Sequence, residues 1–426
     1  MQKTLHVVST NGRNYNLLGL TGANIFKMEV VNRVGADAER KYKDKKNVYG
    51  ISHLIEHLGF RQPRDYTTPE LIETMKTFGR HNASTCHEEI NYWFMTTSTN
   101  HELAINLVCN YAFNDLTKVP QKEFDAEKDV VLNEIRRYAD DDQTMFQFSQ
   151  TISLFGFDAD DNILGTVDTV GAVTLEDVVE FKREMLIDYH PTINVVYDPK
   201  TLSVQQIVEK IEKEISGFLP ISTTATPREM HNFMPGAMVV DNPSEQSLIS
   251  LIMKHNIKPF TIGMALRYLS SMAKGTSLDD VIREKHGLTY GITCYNDRLY
   301  NNKVAVIGAD VAAGNEQLFV DLVASSINDS ANNFTTDAHK RLLDSTELVN
   351  TLDTNVMKHC KWFSIIKHDG DFYNSALKDK AEQDLDIALT AYETDRLTFD
   401  GIESAINEVR TVVNLGDYAR LSNVAF

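Results

Sequence analysis

The sequence predicts an α+β protein made of two domains. The chain has 426 residues, which is more than one ordinary hydrophobic core supports. The stretch 219–227 combines two prolines with a run of Ser and Thr and lacks apolar periodicity, as is typical of a linker. After this stretch the pattern of strands and helices starts again. We therefore expect a first domain over 1–218, a linker over 219–233 and a second domain over 234–426.

The composition is that of a soluble globular protein, with 42% apolar and 24% charged residues. The formal net charge of −18 disfavours nucleic-acid binding and is compatible with cationic substrates. The four cysteines show no C-x-x-C spacing, which favours a reducing compartment over a disulfide framework. No apolar leader follows the first residues, and no run of 18 apolar residues occurs. We therefore expect a cytoplasmic protein without a secretory signal or a membrane span.

The first domain begins with strands and continues with helices. Short apolar runs bounded by Gly, Asn and Thr predict strands at 16–20 and 25–31, and a polar loop follows from Val34 through Lys46. Pro in the first turn supports the helix that begins near Pro69, and Thr174 with Asp177 predicts a helix start with a capping box. The other elements expected here are helices at 69–78, 101–115, 121–138 and 202–217, and strands at 81–98 and 194–197.

The second domain repeats part of this pattern. Strands are expected at 237–240 and 248–252, and a helix at 260–273. The segment 280–287, which precedes a strand, parallels the segment 71–79, which also precedes a strand.

One pentapeptide carries the metal-binding signal of the chain, His53-Leu54-Ile55-Glu56-His57. Residues four apart lie on one face of a helix, so His53 and His57 can present two imidazoles to one point. Two neutral imidazoles at this spacing suit zinc, and Glu56 can reach a water there without being a ligand. The order H-x-x-E-H is the inverse of the zincin motif. A His pair can also be an ordinary polar face, so zinc binding requires a third ligand elsewhere.

Glu134 is the candidate for that third ligand. Apolar residues at 130, 131, 132 and 135 predict an amphipathic helix around it. Glu127 precedes Glu134 by seven residues, two turns along nearly the same face. One carboxylate could bind the metal while the other orients a ligand. An amphipathic helix with solvated acidic residues would show the same pattern.

Together these residues resemble the pitrilysin, insulin-degrading enzyme and mitochondrial processing peptidase family of zinc peptidases. In that family H-x-x-E-H is followed, at a set distance, by the ligand Glu of an E-x6-E helix. Here 76 residues separate His57 from Glu134, and Glu127 is the first Glu of the pair. The family's strand G-x-x-N-A-x-T is matched by 79–85, and its segment R-E-K-x-G-L-x-Y by 283–290.

The resemblance implies a fold and a metal site. The fold is α+β, with two homologous domains that each have a mostly antiparallel β-sheet and helices packed on one face, as in the LuxS and processing-peptidase type of metallopeptidase. It places the zinc helix near 49–60. One Zn²⁺ per chain would be held by His53, His57 and Glu134. Glu56 would be the general base, and Glu127 would orient a ligand or the helix that carries Glu134.

The resemblance also implies how peptides bind. Asn82 and Ala83 would lie on an edge strand that adds the substrate as a further strand. Arg283 and Tyr290 would contact the substrate, since an Arg can clamp a carbonyl or carboxylate and a Tyr hydroxyl can donate to an oxyanion. Leu288 and Tyr290 could instead simply pack. The segment Gly263–Leu269, where the zinc helix should recur, has no His or Glu, so one metal site is expected.

The function implied is a zinc endopeptidase that hydrolyses unfolded peptides or oligopeptides inside a closed chamber. Because single-chain relatives close that chamber with twice as many domains, a homodimer is expected, or a heterodimer with a homologous subunit. No nucleic-acid or membrane partner is expected. A non-catalytic scaffold subunit of the same fold, or a regulatory subunit that binds peptides without cutting them, remains an alternative.

Overall fold

The computed structural model describes residues 2–42, 47–61, 63–157, 160–186, 191–216, 231–239, 246–300, 302–352 and 375–423. The chain divides into two compact units. The first comprises Met1–Tyr138, Asp160–Pro227 and Tyr373–Leu389. The second comprises Ala139–Ala159, Arg228–Phe372 and Thr390–Phe426. Most of the expected linker, residues 219–230, lies outside the described residues.

The first unit contains one six-stranded sheet. Its strands are β1 (Lys3–Thr10), β2 (Arg13–Leu20), β3 (Phe26–Asn32), β4 (Arg80–Thr85), β5 (Ile90–Thr96) and β6 (Thr192–Tyr197). They are ordered β1-β2-β6-β3-β5-β4. Among these strands only the pair β2 and β6 is parallel, so the sheet is mostly antiparallel, as expected.

Nine α-helices are described up to residue 216. They are α1 (Asp37–Tyr42), α2 (Ile51–Leu58), α3 (Thr68–Phe78), α4 (His101–Ala112), α5 (Gln121–Ala139), α6 (Asp142–Phe155), α7 (Val167–Ala172), α8 (Leu175–Phe181) and α9 (Val204–Glu214). A π-helical segment, Lys182–Leu186, follows α8. The two predicted helix starts are confirmed, because Thr67 with Glu70 and Thr174 with Asp177 each form a capping box.

Three local expectations for the first unit were wrong or incomplete. The sequence pattern did not reveal β1, although Asn11-Gly12, both with positive φ, is a strong hairpin signal between β1 and β2. The polar stretch 34–46 contains the helix α1 rather than only a loop. The run 81–98 is two strands, β4 and β5, and not one, because the chain turns at 86–89.

The second unit contains a five-stranded sheet of the same plan. Its strands are β7 (Gly236–Val239), β8 (Gln246–Lys254), β9 (Ile292–Leu299), β10 (Asn302–Ala312) and β11 (Ala419–Ser422). The order β7-β11-β8-β10-β9 reproduces β2-β6-β3-β5-β4 of the first sheet, with a parallel pair at the same place. In each unit the strand that comes last in sequence, β6 or β11, lies beside the strand that comes first in this shared order, β2 or β7. The expected homology of the two domains is thus visible in the topology.

The other helices among the described residues lie in the C-terminal part of the chain. They are α10 (Pro259–Arg267), α11 (Glu316–Asn332), α12 (Thr336–Leu352), α13 (Ser375–Gln383), α14 (Leu385–Arg396) and α15 (Phe399–Leu415), with π-helical segments at Tyr268–Met272 and Asp279–Lys285. The predicted helix 260–273 therefore changes its winding after Arg267. The segment Asp279–Lys285 precedes β9 as α3 precedes β4, which is the repeat expected from the sequence.

The second sheet is covered on both faces. Alternate strand residues such as Leu251 and Ile307 pack against α10, α11, α12 and α15. Residues of the opposite face, such as Ile252 and Val304, pack against Phe146 and Leu154 of α6. Most helices of the second unit thus pack on one face of the sheet, as expected, whereas α6 packs on the other face, which was not expected.

The packing of α6 and α13 also changes the expected division of the chain. The Asp141 side chain accepts a hydrogen bond from the Thr144 amide and so caps α6. Because α6 buries its apolar residues in the second unit, the segment 139–159 groups with that unit. The segment 373–389 groups with the first unit, where α13 packs against β1.

Cys109 and Cys294 are free thiols, and Cys360 lies outside the described residues. Across the described ranges, no helix is long and apolar enough to cross a membrane.

Candidate metal centre

The helix α2 carries the H-x-x-E-H residues and is buried along nearly its whole length. Its apolar residues Ile51, Leu54, Ile55 and Leu58 are each at most 2% exposed. The helix packs against β4 and β5 of the first sheet. Polar side chains that are buried on such a helix have lost their contact with water, so each needs a partner or a ligand.

The N-terminal end of α2 is held by its own backbone and by α1. Gly50 caps the helix with φ of 89°, and a Cβ there would lie 2.3 Å from the Leu164 carbonyl oxygen. Only glycine fits both constraints. The Glu39 carboxylate of α1 accepts hydrogen bonds from the amides of Gly50 and Ser52, each at 2.8 Å. These bonds satisfy amides that have no partner within the helix.

The C-terminal end of α2 is held by Asn114. This side chain is buried, and its amide nitrogen donates to the carbonyl oxygens of Leu58 at 3.0 Å, of Gly59 at 3.3 Å and of Arg61. The Lys182 ammonium in turn donates to the Asn114 carbonyl oxygen at 2.5 Å. Both ends of the helix are therefore fixed by groups from other elements.

The structure brings His53, His57 and Glu134 together. Each offers one ligand atom, and the three atoms lie within 4.8 Å of one another. The Glu134 Oε2 is 3.5 Å from His57 Nε2 and 3.9 Å from His53 Nε2. No other group of this kind is found among the described residues. The prediction that α5 places Glu134 opposite the two histidines is consistent with these distances.

This donor set fits a zinc ion. A tetrahedral zinc ion with bonds of about 2.0–2.2 Å keeps its ligand atoms roughly 3.3–3.6 Å apart. The separations of 3.5 and 3.9 Å are close to that spacing. Two imidazoles and one carboxylate also leave a fourth position open, which is the pattern of catalytic rather than structural zinc sites.

Glu127 and Arg61 fix the orientation of His57. The Glu127 Oε1 is 2.8 Å from His57 Nδ1, which leaves Nε2 directed toward Glu134. The Arg61 guanidinium donates to Glu127 Oε2 from Nε at 2.5 Å and pairs with the same carboxylate through Nη2. Among the described residues, His53 Nδ1 has no such partner. Glu127 therefore lies where a residue that orients one ligand is expected.

Burial and the neighbouring side chains shift the pKa values of the two histidines in opposite directions. Burial is the main cause that lowers the pKa of His53, and the neighbouring His57 lowers it further. Burial would also lower the pKa of His57, but hydrogen bonds to Glu127 and Glu134 outweigh it and raise that pKa to about 9. A metal ion at His57 Nε2 would replace the proton held there, so metal binding would release a proton.

Glu56 lies on the same helix and is 9% exposed. Burial raises the pKa of its carboxyl group, while a hydrogen bond from Thr85 and the charge of His57 oppose that effect. The Thr85 hydroxyl at the end of β4 donates to Glu56 Oε2 at 2.8 Å. The carboxylate is therefore held in place by a neighbouring strand.

The predicted substrate residues lie on two different units. Asn82 and Ala83 are in β4, which is an edge strand of the first sheet, with Asn82 exposed. Arg283 and Tyr290 lie in the second unit. The Arg283 guanidinium is 5.8 Å from the centroid of the Tyr290 ring, and Tyr290 is 95% exposed.

Two family models match the chain. Residues 41–152 match the model described as insulinase, peptidase family M16, and residues 172–345 match the model described as peptidase M16 inactive domain. The chain belongs to peptidase family M16. The first match contains every residue of the candidate metal centre, and the second contains Arg283 and Tyr290. The family resemblance drawn from the sequence is therefore confirmed.

Curated relatives in this family are named zinc proteases. An uncharacterized zinc protease of Streptomyces coelicolor is 27% identical over 58% of this chain and 55% of its own length. One from Rickettsia felis is 25% identical over 67% of this chain and 68% of its own. The β subunit of the mitochondrial-processing peptidase of Dictyostelium discoideum is 24% identical over 48% of this chain. The chain thus spans about half the length of the Streptomyces relative.

Solved structures share the fold. A peptidase M16 inactive domain from Pseudomonas fluorescens has a TM-score of 0.75 at 14% identity, covering 98% of this chain and 97% of that one. A protease from Helicobacter pylori has a TM-score of 0.70 at 17% identity, covering 99% of both chains. Pitrilysin has a TM-score of 0.68 at 15% identity, and the match covers 44% of its chain. The two-domain α+β fold is common to all three.

The sequence patterns did not reveal four residues that support the site. They are Glu39, Arg61, Thr85 and Asn114. Thr85 ends the stretch 79–85, which matches the family's strand pattern, so that match was the available signal for it. Glu39 lies in the stretch 34–46, which was predicted as a polar loop. Asn114 and Arg61 belong to no motif, and only the folded chain shows their contacts.

The contacts of Glu127 predict a graded loss of zinc. Glu134→Ala removes a ligand and should leave little bound zinc after dialysis against a weak chelator. Glu127→Ala should keep the ligand atoms but weaken zinc binding about 10- to 100-fold, because His57 loses the group that orients it. Arg61→Met should weaken it less than Glu127→Ala. Metal analysis and chelator competition on the purified variants measure this order.

Arg64→Met is the matched control, because Arg64 is three residues away and pairs with Asp65 and Glu214 instead. It should bind zinc as the wild type does. Equal zinc loss in folded Glu127→Ala and Glu134→Ala would mean that Glu127 is a ligand, contrary to the assignment.

Proposed function

We propose that this chain is a zinc-dependent endopeptidase that hydrolyses unfolded peptides, with Glu56 as its general base. The observation that carries the proposal is the grouping of His53, His57 and Glu134 with Glu56 on the same buried helix. Three ligands with an open position suit hydrolysis. The named zinc proteases among the relatives support the same activity.

His53, His57 and Glu134 would hold the zinc ion. When bound, zinc would act as a Lewis acid and would lower the pKa of the water that it binds toward neutrality. Glu56 takes a proton from the attacking water and later delivers it to the leaving amine. The raised pKa of Glu56 suits a group that must both accept and release a proton near neutral pH. Thr85 engages Oε2 of this carboxylate, so we assign proton transfer to Oε1.

The edge strand β4 supports a preference for extended peptides. A strand at the end of a sheet can pair its main chain with a further strand. Asn82 and Ala83 lie in the middle of β4, whose last residue is Thr85, the partner of Glu56. A peptide paired here would pass close to the base. Because such pairing recognises main chain, we expect broad specificity, and folded proteins should be poor substrates.

We further infer that the active form is a homodimer. The described residues of the second unit contain no group of possible metal ligands, and this unit carries Arg283 and Tyr290. The exposed Tyr290 hydroxyl is available to a peptide bound on another subunit. In this proposal Arg283 and Tyr290 of one subunit serve the zinc centre of its partner, and the two subunits together enclose the substrate. The net charge of −18 would favour cationic peptides.

One observation favours a second candidate function. The model that matches 172–345 is described as an inactive domain. A chain that binds zinc and peptides without cutting them would act as a regulatory or scaffold subunit. Hydrolysis by the purified zinc-loaded chain distinguishes the two.

Glu56→Gln should abolish cleavage of a quenched fluorescent peptide while the protein keeps about one zinc per chain. The change removes the proton acceptor and leaves the three ligands in place. Zinc analysis and peptide cleavage on the same sample measure both effects. Chelation of the metal should inhibit the wild type in the same assay.

The matched control is Glu73→Gln, an exposed glutamate on α3 of the same unit. It should cleave peptides at the wild-type rate. Normal turnover by zinc-loaded Glu56→Gln would refute the general-base assignment. A zinc-loaded wild type that binds but does not cleave peptides would support the second candidate.

Mixing two inactive variants tests the shared site. In a dimer of Glu56→Gln with Tyr290→Phe, one site has both lesions and the other has neither. If the sites are shared, each mixed dimer should recover up to about half of the wild-type activity, because a two-fold dimer has two equivalent sites. Peptide cleavage after subunit exchange measures the recovery.

A mixture of Glu56→Gln with Glu127→Ala is the control, since both changes affect the same unit and every site then keeps one lesion. That mixture should not recover. Absence of recovery in the first mixture after confirmed exchange would refute sharing, and an active monomer would refute the dimer.

A further inference from the structure

A cavity of about 130 Å³ opens on the second sheet, on the face that α6 covers. Gly308 of β10 and Gly291, just before β9, form part of its lining. Phe146 and Gln150 of α6 line it from the helix side. All of these residues belong to the second unit, and none is part of the candidate metal centre.

The strand register explains why a cavity forms here. Gly308 of β10 pairs with Ser250 of β8 on one side and with Thr293 of β9 on the other. This row of three residues across the sheet therefore has a short side chain at each end and none in the middle. A Cβ at Gly308 would lie 3.1 Å from the Ile249 carbonyl oxygen and 3.2 Å from Ser250 Oγ, so there is little room for one. The neighbouring row contains the larger side chains of Val306 and Tyr295.

The lining is polar and carries one charge. The Gln150 amide donates to Ser250 Oγ at 2.9 Å, which fixes both groups at the wall. The hydroxyl-bearing residues Thr293 and Tyr295 are exposed on the sheet side. Among the described residues that line the cavity, Asp310 is the one that carries a charge, and its side chain is exposed. A cationic group would therefore meet a carboxylate and several oxygen acceptors, and the described lining residues include no Lys or Arg that would compete with it.

We propose that this cavity binds the side chain of an arginine in a peptide. A guanidinium can pair with the Asp310 carboxylate through two parallel N–H groups and can donate its others to hydroxyl and amide oxygens. The rings of Phe146 and Tyr295 offer flat surfaces on which a guanidinium can stack. The volume has room for several waters or the head of one long side chain. This binding goes beyond the proposed function, because it needs neither zinc nor hydrolysis.

The test compares two blocked amino acids by ligand-observed NMR titration of the full chain. One is Nα-acetyl-arginine N-methylamide, and the other is its citrulline analogue, which has nearly the same shape and no charge. The arginine probe should bind more tightly. Asp310→Asn should weaken it roughly two- to fivefold, the range for an exposed ion pair, and should leave the citrulline probe unchanged.

Asp329→Asn is the matched control, with the same loss of charge on α11, which packs on the opposite face of the sheet. It should leave the affinities of both probes unchanged. Glu134→Ala should also leave them unchanged, because the cavity does not include the candidate zinc centre. Thr293→Ile, which fills part of the cavity from an exposed edge position, should weaken both probes. Equal affinity of the two probes, equal effects of Asp310→Asn and Asp329→Asn, or no effect of Thr293→Ile would each overturn the proposal.

Discussion

A helix of eight residues, α2, buries the His53 imidazole and the Glu56 carboxylate against the first sheet and leaves the His57 imidazole partly buried. Burying such groups costs free energy unless each is paired or bound to a metal, and the surrounding structure supplies hydrogen-bond partners to His57 and Glu56. Glu127 bonds to one imidazole, Thr85 bonds to the carboxylate, and Glu134 lies close to both imidazoles. Burial of these polar side chains costs desolvation free energy, but it also holds them in fixed positions.

The helix ends are fixed as firmly as its side chains. Glu39 satisfies amides at the N-terminus and Asn114 satisfies carbonyl groups at the C-terminus, so α2 cannot shift along its axis without breaking hydrogen bonds. A metal site needs its ligands held to within a fraction of an ångström. Within its described residues, the second unit repeats the strand order without such a set of ligands, which illustrates that the fold provides a scaffold and the side chains provide the site.

The sequence predicted the site better than it predicted the packing around it. His53, His57 and Glu134 could be predicted as one set of metal ligands, because helical spacing links the two histidines and the family pattern links them to Glu134. The hairpin of β4 and β5 was missed because its turn, residues 86–89, contains no Gly, Pro, Asn or Asp to mark it in the sequence. The place of α6 could not be foreseen, since its apolar residues Phe146 and Leu154 meet partners about 100 residues and more away. Contacts such as that of Arg61 with Glu127 likewise depend on tertiary packing, and no periodic pattern in the sequence indicates them.

X-ray absorption at the zinc edge tests the central claim most directly. The account predicts that the zinc-loaded protein shows a first shell of nitrogen and oxygen atoms at about 2.0–2.2 Å, with two imidazoles, one carboxylate and one water-derived oxygen. It also predicts that Glu134→Ala changes this shell and that Glu127→Ala leaves the number of protein ligands the same. A sulfur atom near 2.3 Å, or an unchanged shell in Glu134→Ala, would contradict it.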